Sequence, residues 1–142
     1  MKIIRNILLL SVLCTPVMVL AESVVVIVNP ANKVTLSQKD VKAIYSDNII
    51  TWKNGKRIKA YDLPVRSKAR KTFSKKVMGK PARSVARDWA NRKITNTAKN
   101  PPRTKKERLA LLSVAKNRNA IAYVPASMVK GRRDVRVLMK VN

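Results

Sequence analysis

Arg66, Ser67, Lys68 and Arg70 form a set of residues suited to holding an anion. Ser67 opens a helical pattern, and a helix start exposes unpaired N–H groups and about half a positive charge. Stability alone would favour Asp or Glu at that position. Instead the stretch from Leu63 to Arg87 holds nine Lys or Arg and no carboxylate. Arg66 and Arg70 can supply charge-assisted hydrogen bonds, Ser67 a hydroxyl and Lys68 a mobile charge. The other reading is a diffuse cationic surface, because the whole chain carries 32 Lys and Arg against 7 Asp and Glu, a charge of +25. Thr104, followed by Lys105 and Lys106, marks a second and weaker helix start, where Glu107 already offsets part of the charge.

Other chemistry is poorly supplied. The chain has no His, one cysteine (Cys14) and three glycines, which excludes Cys/His zinc sites, His-based triads and a P-loop. Ser127 and Lys130 spell Ser-x-x-Lys, but in a chain this rich in lysine such a match arises by chance, and no Lys-Thr-Gly or Ser-Asp-Asn follows. The seven carboxylates include no close pair for acid–base work. No catalytic residue, metal ligand or cofactor is expected. Polyanion binding is the rival function, since clustered Lys and Arg attract phosphate polymers through counterion release. Phe73 and Trp89 lie on apolar helical faces, so a base-stacking platform is poorly supported.

The elements that position these residues can be read in order. Lys2 and Arg5 precede an apolar run from Ile7 to Leu20, too short to span a membrane and ending at Ala21, so residues 1–21 read as a cleaved signal peptide. Leu13 before Cys14 argues against lipid attachment. Residues 22–142 then form one exported α/β domain, periplasmic or secreted, with a charge of +23 once Lys2 and Arg5 are gone. Export removes the cytosolic explanations of such basicity.

Ser23 to Val28 reads as a strand buried on both faces and stopped by Asn29-Pro30. Ser37 and Asp40 form a capping pair, with Leu36 and Val41 as hydrophobic staple, for a helix to about Tyr45. Ile49–Trp52 and Ile58–Tyr61 flank Lys53-Asn54-Gly55-Lys56, and Asn54-Gly55, a dipeptide that tolerates positive φ at both turn centres, predicts a hairpin there. Ala69, Phe73 and Val77 mark a helix ending near Gly79. Pro81 at a first helical position opens another, with Ala82, Val85, Ala86, Trp89 and Ala90 on one face. A loop from Lys93 to Arg103 leads to a second capping box, Thr104 with Glu107, and a helix through Leu109, Leu112 and Ala115. Ala120–Val124 and Val135–Val141 read as strands.

Val28-Asn29-Pro30, then Leu36-Ser37-Gln38-Lys39-Asp40-Val41, Thr51-Trp52-Lys53-Asn54-Gly55, Leu63-Pro64 and Ala120-Ile121-Ala122-Tyr123-Val124 occur here in one order. In that order the chain resembles the small exported proteins grouped with substrate-binding proteins of phosphate ABC transporters. The resemblance covers about residues 24–129 and implies a single lobe of a type 2 periplasmic-binding fold, an α/β domain with a mixed sheet flanked by helices. It implies a non-enzymatic binding protein for phosphate, another small oxyanion or an anionic partner, and adds Tyr123 to the expected ligand residues Arg66, Ser67, Lys68 and Arg70. The family's glycine-rich phosphate turn falls near Val65 to Lys71, where this chain has no glycine, and its Gly-Ala-Ile-Gly-Tyr-Val segment has Asn119 and Ala122 at the glycine positions. A transporter or envelope partner is a further expectation, and homodimerisation offers one way to rebuild a two-sided cleft. The rival remains an envelope or extracellular protein that binds lipopolysaccharide, anionic lipid or DNA by charge alone.

Overall fold

The computed structural model describes residues 14–16 and 23–141. The expected signal peptide therefore lies, apart from residues 14–16, outside the described residues. Strand β1 (Val24–Val28) is buried at all five positions, as its unbroken β-branched run predicts. It lies between β4 (Ala120–Pro125) and β5 (Arg136–Val141) and is antiparallel to both, with Val26 opposite Tyr123 on one side and Met139 on the other. On the far side of β4 run β2 (Lys59–Asp62) and the two-residue β3 (Arg103–Thr104), parallel to it in direction. The sheet is mixed, in the order β3-β2-β4-β1-β5.

Helix α1 (Gln38–Tyr45) begins as its sequence requires. The Ser37 hydroxyl accepts from the Asp40 N–H, and the Asp40 carboxylate accepts from the Ser37 N–H at 2.8 Å. The helix buries Val41, Ile44 and Tyr45, and Leu36 packs partly buried against the same core. The Tyr45 hydroxyl donates to the Tyr61 carbonyl at 2.8 Å, tying α1 to β2.

The hairpin is shorter than expected. One antiparallel bridge, Thr51 with Arg57, stands where two paired strands were predicted, and Lys59–Asp62 pairs instead with β4 and β3. At the turn Gly55 has φ 81°, but Asn54 is not among the described residues with positive φ. Gly55 N–H closes a turn on the Trp52 carbonyl, so only the glycine takes the left-handed conformation.

Helix α2 (Lys68–Phe73) runs on into a π-helical segment, Ser74–Met78, and ends at Gly79 with φ 70°. Ala69, Phe73 and Val77 are all buried, as their spacing predicts. Pro81 is the residue before helix α3 (Ala82–Ile94) and not its first residue. Ala82, Val85 and Trp89 of that helix are buried, whereas Ala86 is half-buried and Ala90 exposed, so the stripe is narrower than expected.

The predicted Thr104–Glu107 capping box does not form. Thr104 pairs with Asp62 in β3, Lys105 N–H donates to the Asp62 carbonyl, and helix α4 starts at Glu107 after Lys106, with no side-chain cap. A parallel pairing to a strand far away in sequence has displaced the local cap. The buried face of α4 (Glu107–Lys116) is Ala110, Leu111 and Val114, while Leu109 is exposed. Asn29, the residue that stops β1, donates at 3.0 Å to the carbonyls of both Val114 and Ala115 and thereby satisfies the end of α4.

Candidate anion site

The carboxyl ends of β2, β3 and β4 lie along one edge of the sheet, where open α/β sheets carry their ligands. From Asp62 the chain turns through Leu63-Pro64-Val65-Arg66, with the Ser67 N–H on the Pro64 carbonyl, and enters α2. Ser67 caps this helix, its hydroxyl accepting from the Arg70 N–H at 3.2 Å. The same hydroxyl donates to the Glu107 carboxylate at 3.4 Å, which brings the starts of α2 and α4 together. A pocket of about 400 Å³ opens beside them, lined among others by Lys68, Lys71, Thr72 and Glu107. The first turn of α2 holds no acidic residue.

Of the five residues expected to hold a ligand, the structure brings Arg66, Ser67 and Lys68 to the surface of this edge, Arg66 and Lys68 exposed and Ser67 half-buried. The other two turn inward. Arg70 is 3% exposed and Tyr123 is fully buried. The Arg70 guanidinium donates to the Leu63 carbonyl at 2.7 Å and pairs with Asp62 at 3.0 Å. The Tyr123 hydroxyl donates to the other Asp62 oxygen, which also accepts from the Leu63 N–H.

Burial pushes the Asp62 carboxyl above its ordinary value, against the opposing pull of Arg70, the Tyr123 hydroxyl and the Leu63 N–H. Burial and the nearby Asp62 charge push the Tyr123 hydroxyl well above the ordinary tyrosine range, so it stays a proton donor. Around this group Phe73 stacks on Tyr123 at 3.8 Å between ring centres, and Tyr45 meets both rings edge-on. Arg70 and Tyr123 thus fix the strand end and the helix that carry Ser67, and of the five residues only Arg66, Ser67 and Lys68 stand open to solvent.

The residues that sequence reasoning missed are Asp62 and Glu107. Asp62 carried one faint signal, a carboxylate directly after the predicted strand Ile58–Tyr61 and just before a long stretch that has none. Glu107 was read as a local capping partner and acts across the fold instead. Ser127 sits in a 3-10 turn after β4, and no group of three or more His, Cys, Asp or Glu that could hold a metal occurs among the described residues.

The chain resembles solved receptors in shape far more than in sequence. A phosphate transport receptor of the ABC type from Vibrio cholerae superposes with a TM-score of 0.62 at 17% identity, over 83% of this chain and 46% of that one. A Clostridium perfringens protein described as a phosphate ABC transporter substrate-binding protein, with phosphate bound, gives 0.61 at 20% identity, over 82% and 44%. PstS from Borrelia burgdorferi gives 0.59 at 13% identity, over 77% and 42%. The chain therefore spans less than half the length of each of these proteins. No curated protein matches it in sequence. The family model of the PBP superfamily domain, however, matches residues 12–138, nearly the whole chain, and the mixed sheet with its flanking helices agrees with it: this chain belongs to the PBP superfamily.

Proposed function

We propose that this is an exported, non-enzymatic binding protein whose single lobe recognises phosphate or another small oxyanion at the start of α2. The observation that carries the reading is the helix start itself: a Ser67 hydroxyl flanked by exposed Arg66 and Lys68, at the carboxyl edge of the sheet, with no acid in the first turn. The fold shared with phosphate-binding receptors supports the ligand class. Glu107 sets the terms of binding. Its carboxylate occupies the Ser67 hydroxyl, so an arriving anion must displace a like charge. Residues 1–21 serve as a cleaved signal peptide, and the protein works in the periplasm or outside the cell. One lobe provides one wall of a cleft, and a transporter or envelope partner supplies the other. A second copy is the alternative wall, which light scattering with and without phosphate separates from a monomer.

Calorimetry with phosphate, sulfate and a short polyphosphate tests the site. Lys68→Gln is expected to cost about 1.5 to 3 kcal/mol of oxyanion affinity, the worth of a hydrogen bond to a charged group. Glu107→Gln tightens binding, and Lys140→Gln, on the edge strand β5, leaves it unchanged. Equal losses at Lys68 and Lys140 would identify a diffuse cationic surface, and no heat with any oxyanion would end the proposal.

A further inference from the structure

A second hollow of about 580 Å³ lies between the Val65–Arg66 turn, the α2 and π-helical segment and the Gly79–Arg83 connection into α3. Five cationic side chains line it, Arg66, Lys71, Lys75, Lys80 and Arg83, and no carboxylate does. All five residues are exposed, and of them only Lys80 has a carboxylate at ion-pair distance among the described residues, Asp88 at 2.8 Å. The rest of the lining is Val65, Gly79, Pro81 and Ala82, which offer no polar side chain, and Ala82 is buried.

This combination suits neither a small oxyanion nor a polymer held by charge alone. The volume falls in the range of about 300 to 1,000 Å³ usual for small organic ligands and is far larger than one phosphate, to which an apolar lining gives nothing. A polymer held by phosphate contacts would use the cations and leave the hollow empty. A molecule with an anionic head and an apolar body uses both. Its apolar part leaves water for the apolar wall, and its head gains charge-assisted hydrogen bonds from cations of which only Lys80 has a competing acid.

We infer that this hollow binds a single anionic amphiphile, a phosphate-headed lipid molecule. Its head lies among Lys75, Arg83 and their cationic neighbours, and its acyl chain lies against Val65, Pro81 and Ala82. The hollow differs from the proposed oxyanion site in its apolar wall, although Arg66 belongs to both and Lys71 lines both pockets.

Calorimetry with monomeric decyl phosphate, decyl maltoside and inorganic phosphate tests the inference. Decyl phosphate binds saturably, whereas decyl maltoside, with a similar chain and no charge, does not. Lys75→Glu with Arg83→Glu weakens decyl phosphate about tenfold or more, by replacing attraction with repulsion at the head. Arg133→Glu with Lys140→Glu makes the same change in net charge elsewhere and shifts binding less than about twofold. Lys68→Gln leaves it unchanged, so failure at the Ser67 start and failure here read out separately. Circular dichroism melts confirm that each variant folds, with Lys75→Gln and Arg83→Gln as milder replacements where the reversal does not. Equal weakening by the two charge-reversed pairs, equal binding of decyl maltoside, or displacement of decyl phosphate by equimolar inorganic phosphate would each overturn it.

Discussion

Arg70 shows how far one side chain's role depends on its surroundings. In the sequence it is one of several cations around a helix start; in the fold it neutralises a buried aspartate and closes the end of β2. Removing one partner of such a pair leaves the other charged in a dry site and costs about 3 to 5 kcal/mol, whereas replacing both with apolar residues of similar size is often neutral. Arg70→Met is therefore expected to destabilise the protein by about that amount, and Asp62→Leu with Arg70→Met to recover part of the loss, because the Tyr123 hydroxyl and the Leu63 N–H then lose the carboxylate as acceptor, as read from urea unfolding midpoints. A double variant no more stable than Arg70→Met would mean that the loss is one of packing and not of charge. The same change would disturb the turn that carries Ser67, so Arg70 is a poor probe of the proposed ligand and Lys68 a good one.

At the scale of an element, α1 is held by a cap that titrates. The Ser37 N–H and hydroxyl donate to Asp40 and hold its carboxyl below the ordinary value of 3.8. A folded value below the unfolded one means that stability is fully present above pH 3.8 and is lost as pH falls through the folded value. The stability difference between the native protein and Asp40→Asn is expected to be constant near neutrality and to shrink on acidification below the ordinary aspartate value, followed by urea unfolding from about pH 6 to pH 2. A flat difference would show that the carboxylate contributes nothing as an ion. Asp62 has the opposite sign, because its raised value removes stability as pH climbs from 3.8, but it is common to both proteins and cancels in the comparison. The next element boundary is fixed by a different carboxylate. Asp47, with φ 70°, accepts from the Lys99 and Asn100 N–H groups at 2.6 and 2.7 Å and anchors the loop after α3 to the end of α1.

Across the whole molecule, charge is out of balance. Three ion pairs occur among the described residues, so most of the Lys and Arg side chains there face water without a carboxylate partner, and their mutual repulsion works against the compact state. Salt should stabilise this protein, since the screening length is about 10 Å at 0.1 M ionic strength. Thermal melts in sodium chloride and in sodium phosphate of equal ionic strength distinguish screening from binding. Both salts raise the melting temperature, and phosphate raises it further with a saturating dependence on concentration, as expected for a ligand that binds only the folded state. Superposition of the two salt curves would leave screening alone and count against the Ser67 site.

The sequence by itself determined what depends on neighbours along the chain and on burial by composition. The β-branched run of β1, the Ser37–Asp40 cap, the Ala69-Phe73-Val77 stripe and the αL stop at Gly79 were all legible, as was the family pattern that runs through them. Each rests on interactions within a few residues or on the cost of exposing apolar surface. The tertiary structure decided which polar group meets which. Thr104 gave up its cap because pairing with Asp62 satisfied the backbone groups of two strands at once, and Glu107 thereby came to face Ser67 across 40 residues of chain. Arg70 went inward because Asp62, Tyr123 and the Leu63 carbonyl gave it partners that no local pattern announces. A periodic pattern encodes which side of a helix is apolar; it carries no record of the charge waiting on the next strand.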